Sequence, residues 1–235
     1  MPNWQAVLLD IEGTVTPISF VHEILFPYAR EHVNNYLSQH LQQPEVQADI
    51  QKLREEQAND AEELRQPPID SIDTAVTYVN RLIDLDRKSP ALKSLQGKIW
   101  KAGYEDGSLK SPVYPDVVEA FERWRDVGIT INIFSSGSVL AQQLLFAHTD
   151  AGDLTRYIDQ YFDTSVGKKI DPQSYLAIAA NLSFDPSQIL FLSDVVAELD
   201  AAKAAGIQTR LCIRPGNPPQ PASQYQSIAS FADIF

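Results

Sequence analysis

Two rhythms of apolar positions succeed one another near the start of the chain. "AVLLD" at 6–10 is a short unbroken apolar run closed by a polar turn, which predicts a strand buried on both faces. From 19 to 110 the apolar residues instead recur three and four apart. "FVHEILFPYAREHVNNYL", "PEVQADIQKLREEQ", "IDTAVTYVNRLIDLD" and "ALKSLQGKIWKAGYEDG" therefore read as helices. Pro44, Pro67-Pro68 and Ser89-Pro90 punctuate them, and Asp70-Ser71 and Ser89 stand where caps are expected.

After Pro112 the pattern becomes a regular alternation. "YPDVVEAFERWRDVG" reads as a helix with Gly128 just past its end, and "ITINIFS" (129–135) as a strand. "GSVLAQQLLFAH" is helical, "YFDTS" short and extended, and "DPQSYLAIAANL" helical again. "QILFLSD" and "IQTRLCI" read as strands on either side of the helical "VVAELDAAKAAG". Such alternation predicts an α/β fold: a doubly wound, Rossmann-like parallel sheet with helices on both faces. Residues 1–18 and 111–235 are expected to form the core, and 19–110 a helical cap inserted after the first strand. A helical insert at that point would sit above the carboxyl ends of the strands, where open α/β sheets bind ligands. "RPGNPPQPASQ" reads as a Pro-rich loop.

Composition narrows the possibilities. The chain has 235 residues, 44% hydrophobic and 21% charged, as an ordinary globular protein has. Its net charge of −12 argues against nucleic acid, which demands a basic face. A small anion remains compatible, because a site can be locally positive through a metal ion, a lysine and helix N-termini. The single cysteine, Cys212, excludes an internal disulfide framework and fits a reducing compartment. "MPNWQAVLLD" lacks the basic start and long apolar run of a signal peptide, and no run approaches the ~20 apolar residues of a membrane span. A soluble, cytoplasmic monomer without membrane or nucleic-acid partners is expected.

Four stretches bring polar groups to strand ends: Asp10 with Glu12, Ser135 with Ser136, Lys169 beside Lys168, and Asp194 with Glu198 one helical turn later. Asp10, Ser135 and Asp194 each follow an apolar strand directly, and parallel strands bring all three to one edge of the sheet. Taken singly, each has a plain structural reading. Asp194 could be the N-cap of the next helix, "SSG" could cap the helix beginning near Ser138, and either lysine could be solvated. Glu198 is a surface residue or orients the lysine. Taken together they describe an anion pocket in an acidic protein. Mg²⁺ prefers oxygen ligands and keeps several waters. Asp10 and Asp194 can supply carboxylates to one such ion, and Glu12 its carbonyl, its side chain, or both. Lysine, serine hydroxyls and backbone N–H groups would hold phosphate oxygens.

In their order these motifs resemble those of the haloacid dehalogenase superfamily of phosphatases. The superfamily's usual Asp-x-Asp-Gly-Thr stands here as "DIEGT". That glutamate, "TPISFVHEILFPYAR", "SSGSVLAQQLLF", "FDTSVGKK" and "RPGNPP" resemble the enolase-phosphatases of methionine salvage over nearly the whole chain. The resemblance implies two steps on 2,3-diketo-5-methylthiopentyl-1-phosphate. A proton next to a carbonyl is removed to give the enol phosphate. Phosphate is then released, leaving the acireductone 1,2-dihydroxy-3-keto-5-methylthiopentene. Asp10 would be the nucleophile, with Lys169 and one Mg²⁺ per chain stabilising charge on the phosphoryl group. Glu12 would be the acid/base, or would take part in the proton abstraction. Ser135, Ser136 and Lys169 would bind substrate; Asp10, Glu12 and Asp194 the metal.

Two other readings share parts of this constellation. Another phosphatase of the superfamily would use the same Asp10, Lys169 and Asp194 on a different substrate. A phospho-acceptor signalling module also uses Asp, Lys and Mg²⁺, but is smaller and carries its acceptor after a middle strand. His22, His32, His40 and His148 form no recurring metal-ligand spacing. Cys212, Trp4, Trp100 and Trp124 read as packing. Phe20, Phe26 and Tyr28 read either as an apolar wall for substrate or as a helical core face.

Overall fold

The computed structural model describes residues 4–85, 87–219 and 224–234. Residues 1–3, the last residue of the segment read as helix at 72–86, and part of the Pro-rich stretch at 214–224 lie outside the described residues. The chain divides into two compact units, Met1–Val21 with Lys110–Phe235, and His22–Leu109.

The first unit is built on a six-stranded sheet. β1 (Ala6–Leu9) is buried along its whole length, as its unbroken apolar run requires. After the second unit come α5 (Val117–Asp126), β2 (Thr130–Phe134), α6 (Val139–Ala147) and β3 (Gln160–Phe162). They are followed by α7 (Pro172–Leu182), β4 (Ile189–Ser193), α8 (Val196–Ala204), β5 (Gln208–Cys212) and the two-residue β6 (Ser227–Ile228). The strand order is β3-β2-β1-β4-β5-β6 and every pairing is parallel. β6 has no counterpart in the sequence reading, because two residues carry no period.

Ala6 and Leu8 of β1 pack with Phe134, Phe191 and the apolar faces of α7 and α8 (Tyr175, Ile178, Leu199 and Ala202). Successive strand residues point to opposite faces, so Val7 and Leu9 serve the other side of the sheet. α5 packs against β2 and α6 against β3, and an aromatic cluster joins Phe121, Trp124, Phe146 and Phe231. Cys212 is buried in β5, and burial pushes its thiol up to about 12.

The second unit is helical: α1 (Phe26–His40), α2 (Pro44–Ala58), α3 (Ile72–Asp84) and α4 (Pro90–Glu105). α1 packs on α3 and α4, and α2 on α4. Ser71 caps α3 through a reciprocal box with Thr74, and Ser89 caps α4 by accepting from Leu92 N at 2.9 Å. The stretch read as one helix from residue 19 is different at its start. Phe20–Leu25 forms a wider π-helical turn before α1 begins. Pro27, at the start of α1, has no N–H, and in a regular helix its ring would clash with the carbonyl four residues earlier. Trp100 Nε1 satisfies the Leu25 carbonyl at 2.8 Å. Phe26 stacks on Trp100 and Tyr28 on His32, so both aromatics have packing partners within this unit. The three tryptophans are buried, as expected of packing residues.

Candidate active site

The register of the parallel ladder decides which polar residues meet. Leu9 lies opposite both Ile133 and Leu192, so the residues that follow these three positions emerge at the same edge. Asp10 N still donates to Leu192 O at 3.0 Å, and Ser135 N to Phe162 O at 3.1 Å. Both residues are thereby held by the sheet and not by a loose loop. Asp194 follows Ser193 directly and is not a helix cap: Val195 occupies that position, and its N–H is taken by Ser193 Oγ at 3.1 Å. Ser138, not Ser135 or Ser136, caps α6, leaving the Ser135 hydroxyl to accept from Gly137 N at 3.2 Å. Ser135 is buried and Ser136 exposed.

Lys169 reaches this edge from the turn before α7. Its ammonium lies 2.5 Å from Asp10 Oδ1 and 2.7 Å from Glu198 Oε2. Tyr175 OH holds the Lys169 carbonyl at 2.7 Å, and Ser174 Oγ holds that of Lys168 at 2.8 Å. The backbone of this turn is fixed, with the Lys169 side chain buried and Lys168 exposed. Ser193 Oγ in turn donates to Glu198 Oε2 at 2.9 Å. Glu198 is therefore the orienting partner of Lys169, not a surface residue.

Three buried carboxylates, Asp10, Asp194 and Glu198, thus stand at one edge with a single buried lysine, which pairs with Asp10 and Glu198. Burial, then the charges of Asp10 and Glu198, push the Asp194 carboxyl up to about 7. Burial and Asp10 push Glu198 up to about 7 as well, against the pull of Lys169. Burial alone would lower Lys169, yet Asp10 and Glu198 outweigh it and hold its pKa above the ordinary value. One ammonium does not neutralise three acids. Among the described residues Asp194 has no cation within ion-pair distance.

The turn after β1 completes the cradle. The N–H groups of Thr14, Val15 and Thr16 all point to the Ile11 carbonyl, and Gly13 N donates to Thr16 O at 2.8 Å. Gly13 has φ +71°, and a Cβ there would stand 2.5 Å from Asp194 Oδ2. Only glycine lets the turn carrying Glu12 lie this close to Asp194. Among the described residues no three His, Cys, Asp or Glu side chains form a ready-made metal cage. Two carboxylates short of positive charge, with a turn closed tightly over one of them, nevertheless fit an ion that uses one or two carboxylates and keeps its remaining places for water and phosphate.

A model of the family described as haloacid dehalogenase-like hydrolase matches residues 4–206. The chain is 51% identical over 229 residues to the enolase-phosphatase E1 of Synechococcus elongatus, covering 97% of this chain and 96% of that protein. The chain belongs to the haloacid dehalogenase-like hydrolases, in the enolase-phosphatase E1 family. A Vitis vinifera relative, a probable bifunctional methylthioribulose-1-phosphate dehydratase/enolase-phosphatase E1, is 44% identical over 99% of this chain. Only 47% of that longer protein is covered. The crystal structure of the UTR4 protein of Saccharomyces cerevisiae superposes with a TM-score of 0.81 at 39% identity, covering 97% of this chain and 98% of that one.

The sheet edge of this enolase-phosphatase family member also carries two residues of the Pro-rich loop that show no chemistry in the sequence alone. Arg214 Nε donates to Thr14 O at 3.1 Å, and Asn217 Nδ2 to Gly13 O at 2.9 Å. Arg214 is buried between the rings of Tyr114 and Phe231 and pairs with Asp116 at 2.8 Å. A usable signal was present: both residues follow the end of β5, and β5 neighbours β4, so they reach the same edge.

Proposed function

We propose that this chain carries out the enolase-phosphatase reaction on 2,3-diketo-5-methylthiopentyl-1-phosphate, giving the acireductone 1,2-dihydroxy-3-keto-5-methylthiopentene and phosphate in methionine salvage. The observation that carries the reading is the pairing of Lys169 with Asp10 and Glu198 at the carboxyl edge of the sheet, beside a buried Asp194 that lacks a cation among the described residues. The 51% identity to an enolase-phosphatase E1 over almost the full chain supports the substrate.

In this reading Asp10 attacks phosphorus, forming an aspartyl-phosphate as the bond to the substrate oxygen breaks. Glu12, two residues further along the turn, protonates the departing oxygen and then takes a proton from the water that hydrolyses the acyl phosphate. Lys169, held by Glu198 and the Tyr175 hydroxyl, places its ammonium against the transferring group. Ser135 and Ser136 bind the remaining phosphate oxygens. Asp10, Asp194 and Glu12 would hold one Mg²⁺ per chain, which supplies positive charge to the phosphate and to the carbonyl beside which the proton is lost. The preceding enolisation rests on the family relationship.

The helical unit, inserted shortly after Glu12, serves in this reading as a cap that selects substrate. We further propose a cytoplasmic monomer. The one cysteine supports a reducing compartment, and among the described residues no helix is long and apolar enough to cross a membrane. Mixing the diketo phosphate with protein and Mg²⁺, while following enol absorbance and free phosphate together, tests the proposal. Enol should rise before phosphate, and both should cease in EDTA. Phosphate release without an enol phase would contradict the enolase assignment and leave a simple phosphatase.

A further inference from the structure

The Asn217 side chain has one end explained and one end unexplained. Its Nδ2 faces two backbone carbonyls, Gly13 O at 2.9 Å and Cys212 O at 3.5 Å. Two acceptors on one side fix the amide's orientation, because the carbonyl end could not sit there. Oδ1 must then point the other way, where it is buried and has no hydrogen-bond partner among the described residues. Buried acceptors are almost always satisfied.

The direction in which it points is given by Gly13. A Cβ on that glycine would stand 3.0 Å from Asn217 Oδ1 and 2.5 Å from Asp194 Oδ2. The two oxygens therefore both lie close against Gly13, on the same side of a turn that only glycine permits. An amide oxygen beside a carboxylate gains nothing from the pair itself, since neither donates. A donor that reaches both oxygens would satisfy both, and a water polarised by a cation is a strong one.

We propose that Asn217 is a positioning residue for the divalent ion held by Asp10 and Asp194, its Oδ1 accepting a hydrogen bond from a water carried on that ion. The assignment rests on the metal site proposed above. It gives the "RPGNPP" loop two tasks: Nδ2 fixes the turn carrying Glu12, and Oδ1 faces the ion. Arg214 assists the first task only, through the Thr14 carbonyl.

The test is Mg²⁺ binding by isothermal titration calorimetry on the full chain without substrate, which reads the site independently of turnover. Asn217→Ala should weaken Mg²⁺ roughly 10-fold, the low end for loss of an outer-shell partner. Asn217→Asp keeps an oxygen and adds negative charge while losing the Nδ2 donor, so it should bind Mg²⁺ more tightly than the parent. A role confined to the turn predicts instead that both variants weaken alike. An affinity within 2-fold of the parent in Asn217→Ala, or no tightening in Asn217→Asp, overturns the proposal, and the aspartate variant decides alone if the alanine protein melts before titration. Asp194→Ala separates the two levels. If it abolishes binding while Asn217→Ala does not weaken it, the metal site stands and the Asn217 role falls. If the parent binds no Mg²⁺, both fall together.

Discussion

Buried acids occur in both units of the chain, and the two units treat them differently. In the helical unit Asp49 has Lys98 as its own cation, and Asp60 has Arg87 at 2.5 Å, its second oxygen accepting from Tyr78 OH at 2.7 Å. In the α/β unit Asp10 and Glu198 share Lys169, and Asp194 stands beside them with no cation of its own among the described residues. A one-to-one balance offsets the cost of burying charge and leaves nothing over for a ligand. The three-to-one arrangement leaves a demand for positive charge, visible as two carboxyls pushed up to about 7. The contrast holds within the α/β unit too. Burial alone would raise Asp116, but the Phe231 N–H and Arg214 outweigh it and hold its carboxyl below the usual range. The ratio of acids to cations, more than burial itself, separates the candidate site from the scaffold.

That contrast can be broken by substitution. Asp10→Asn removes the carboxylate proposed to attack phosphorus, so phosphate release should fall at least about 1,000-fold, as loss of a nucleophile does. The enol phosphate should then accumulate. Normal Mg²⁺ and substrate binding without enol would mean that Asp10 serves both steps. Lys169→Ala should cost at least ~100-fold in kcat, the scale of losing one electrostatic donor, while Lys168→Ala stays near the parent. The reverse ranking in steady-state assays would move the lysine assignment.

In the helical unit the effect should appear as stability. Asp49→Ala strands a lysine that is still one-fifth exposed and can turn to water, so the cost should be about 2 kcal/mol in urea unfolding, below that of a fully buried pair. Its kcat should stay within about 2-fold, the ordinary scatter of a scaffold substitution; a collapse of kcat in stable protein would erase the distinction between the units. Asp116→Asn sharpens the comparison through pH. The native carboxyl titrates below its unfolded value of ~3.9, so its stabilisation is complete above that pH and is lost as pH falls through the lower native value. The variant should be less stable by about 1 kcal/mol at neutral pH, with the gap closing as pH falls below the unfolded carboxyl's range in thermal unfolding. A gap independent of pH would assign the effect to packing.

Much of this was legible in the chain. β1, β2 and β4 announce themselves as largely apolar runs, and each ends where a polar residue of the site begins, whereas β5 is polar over its first three residues. Regular alternation sufficed for the parallel sheet, and hence for the meeting of Asp10, Ser135 and Asp194. What the period could not reveal depended on single atoms. The Pro27 ring widens the turn at Phe20–Leu25 although the apolar spacing there is helical. β6 is shorter than any period. Arg214 and Asn217 act through backbone carbonyls of a turn some two hundred residues away, and no local pattern records such a contact. Glu198 was visible as a turn-spaced acid, but its hold on Lys169 needed the fold.

In the proposed reaction the carboxylate-rich edge passes a phosphoryl group through Asp10. Rapid acid quench during turnover of the diketo phosphate, followed by mass spectrometry of the peptide containing Asp10, measures this directly. The added mass of one phosphoryl group is expected on that peptide, present during turnover, absent after substrate is exhausted, and absent in Asp10→Asn. Full phosphate release with an unmodified Asp10 peptide at every time point, or with the phosphoryl group on another residue, would contradict it.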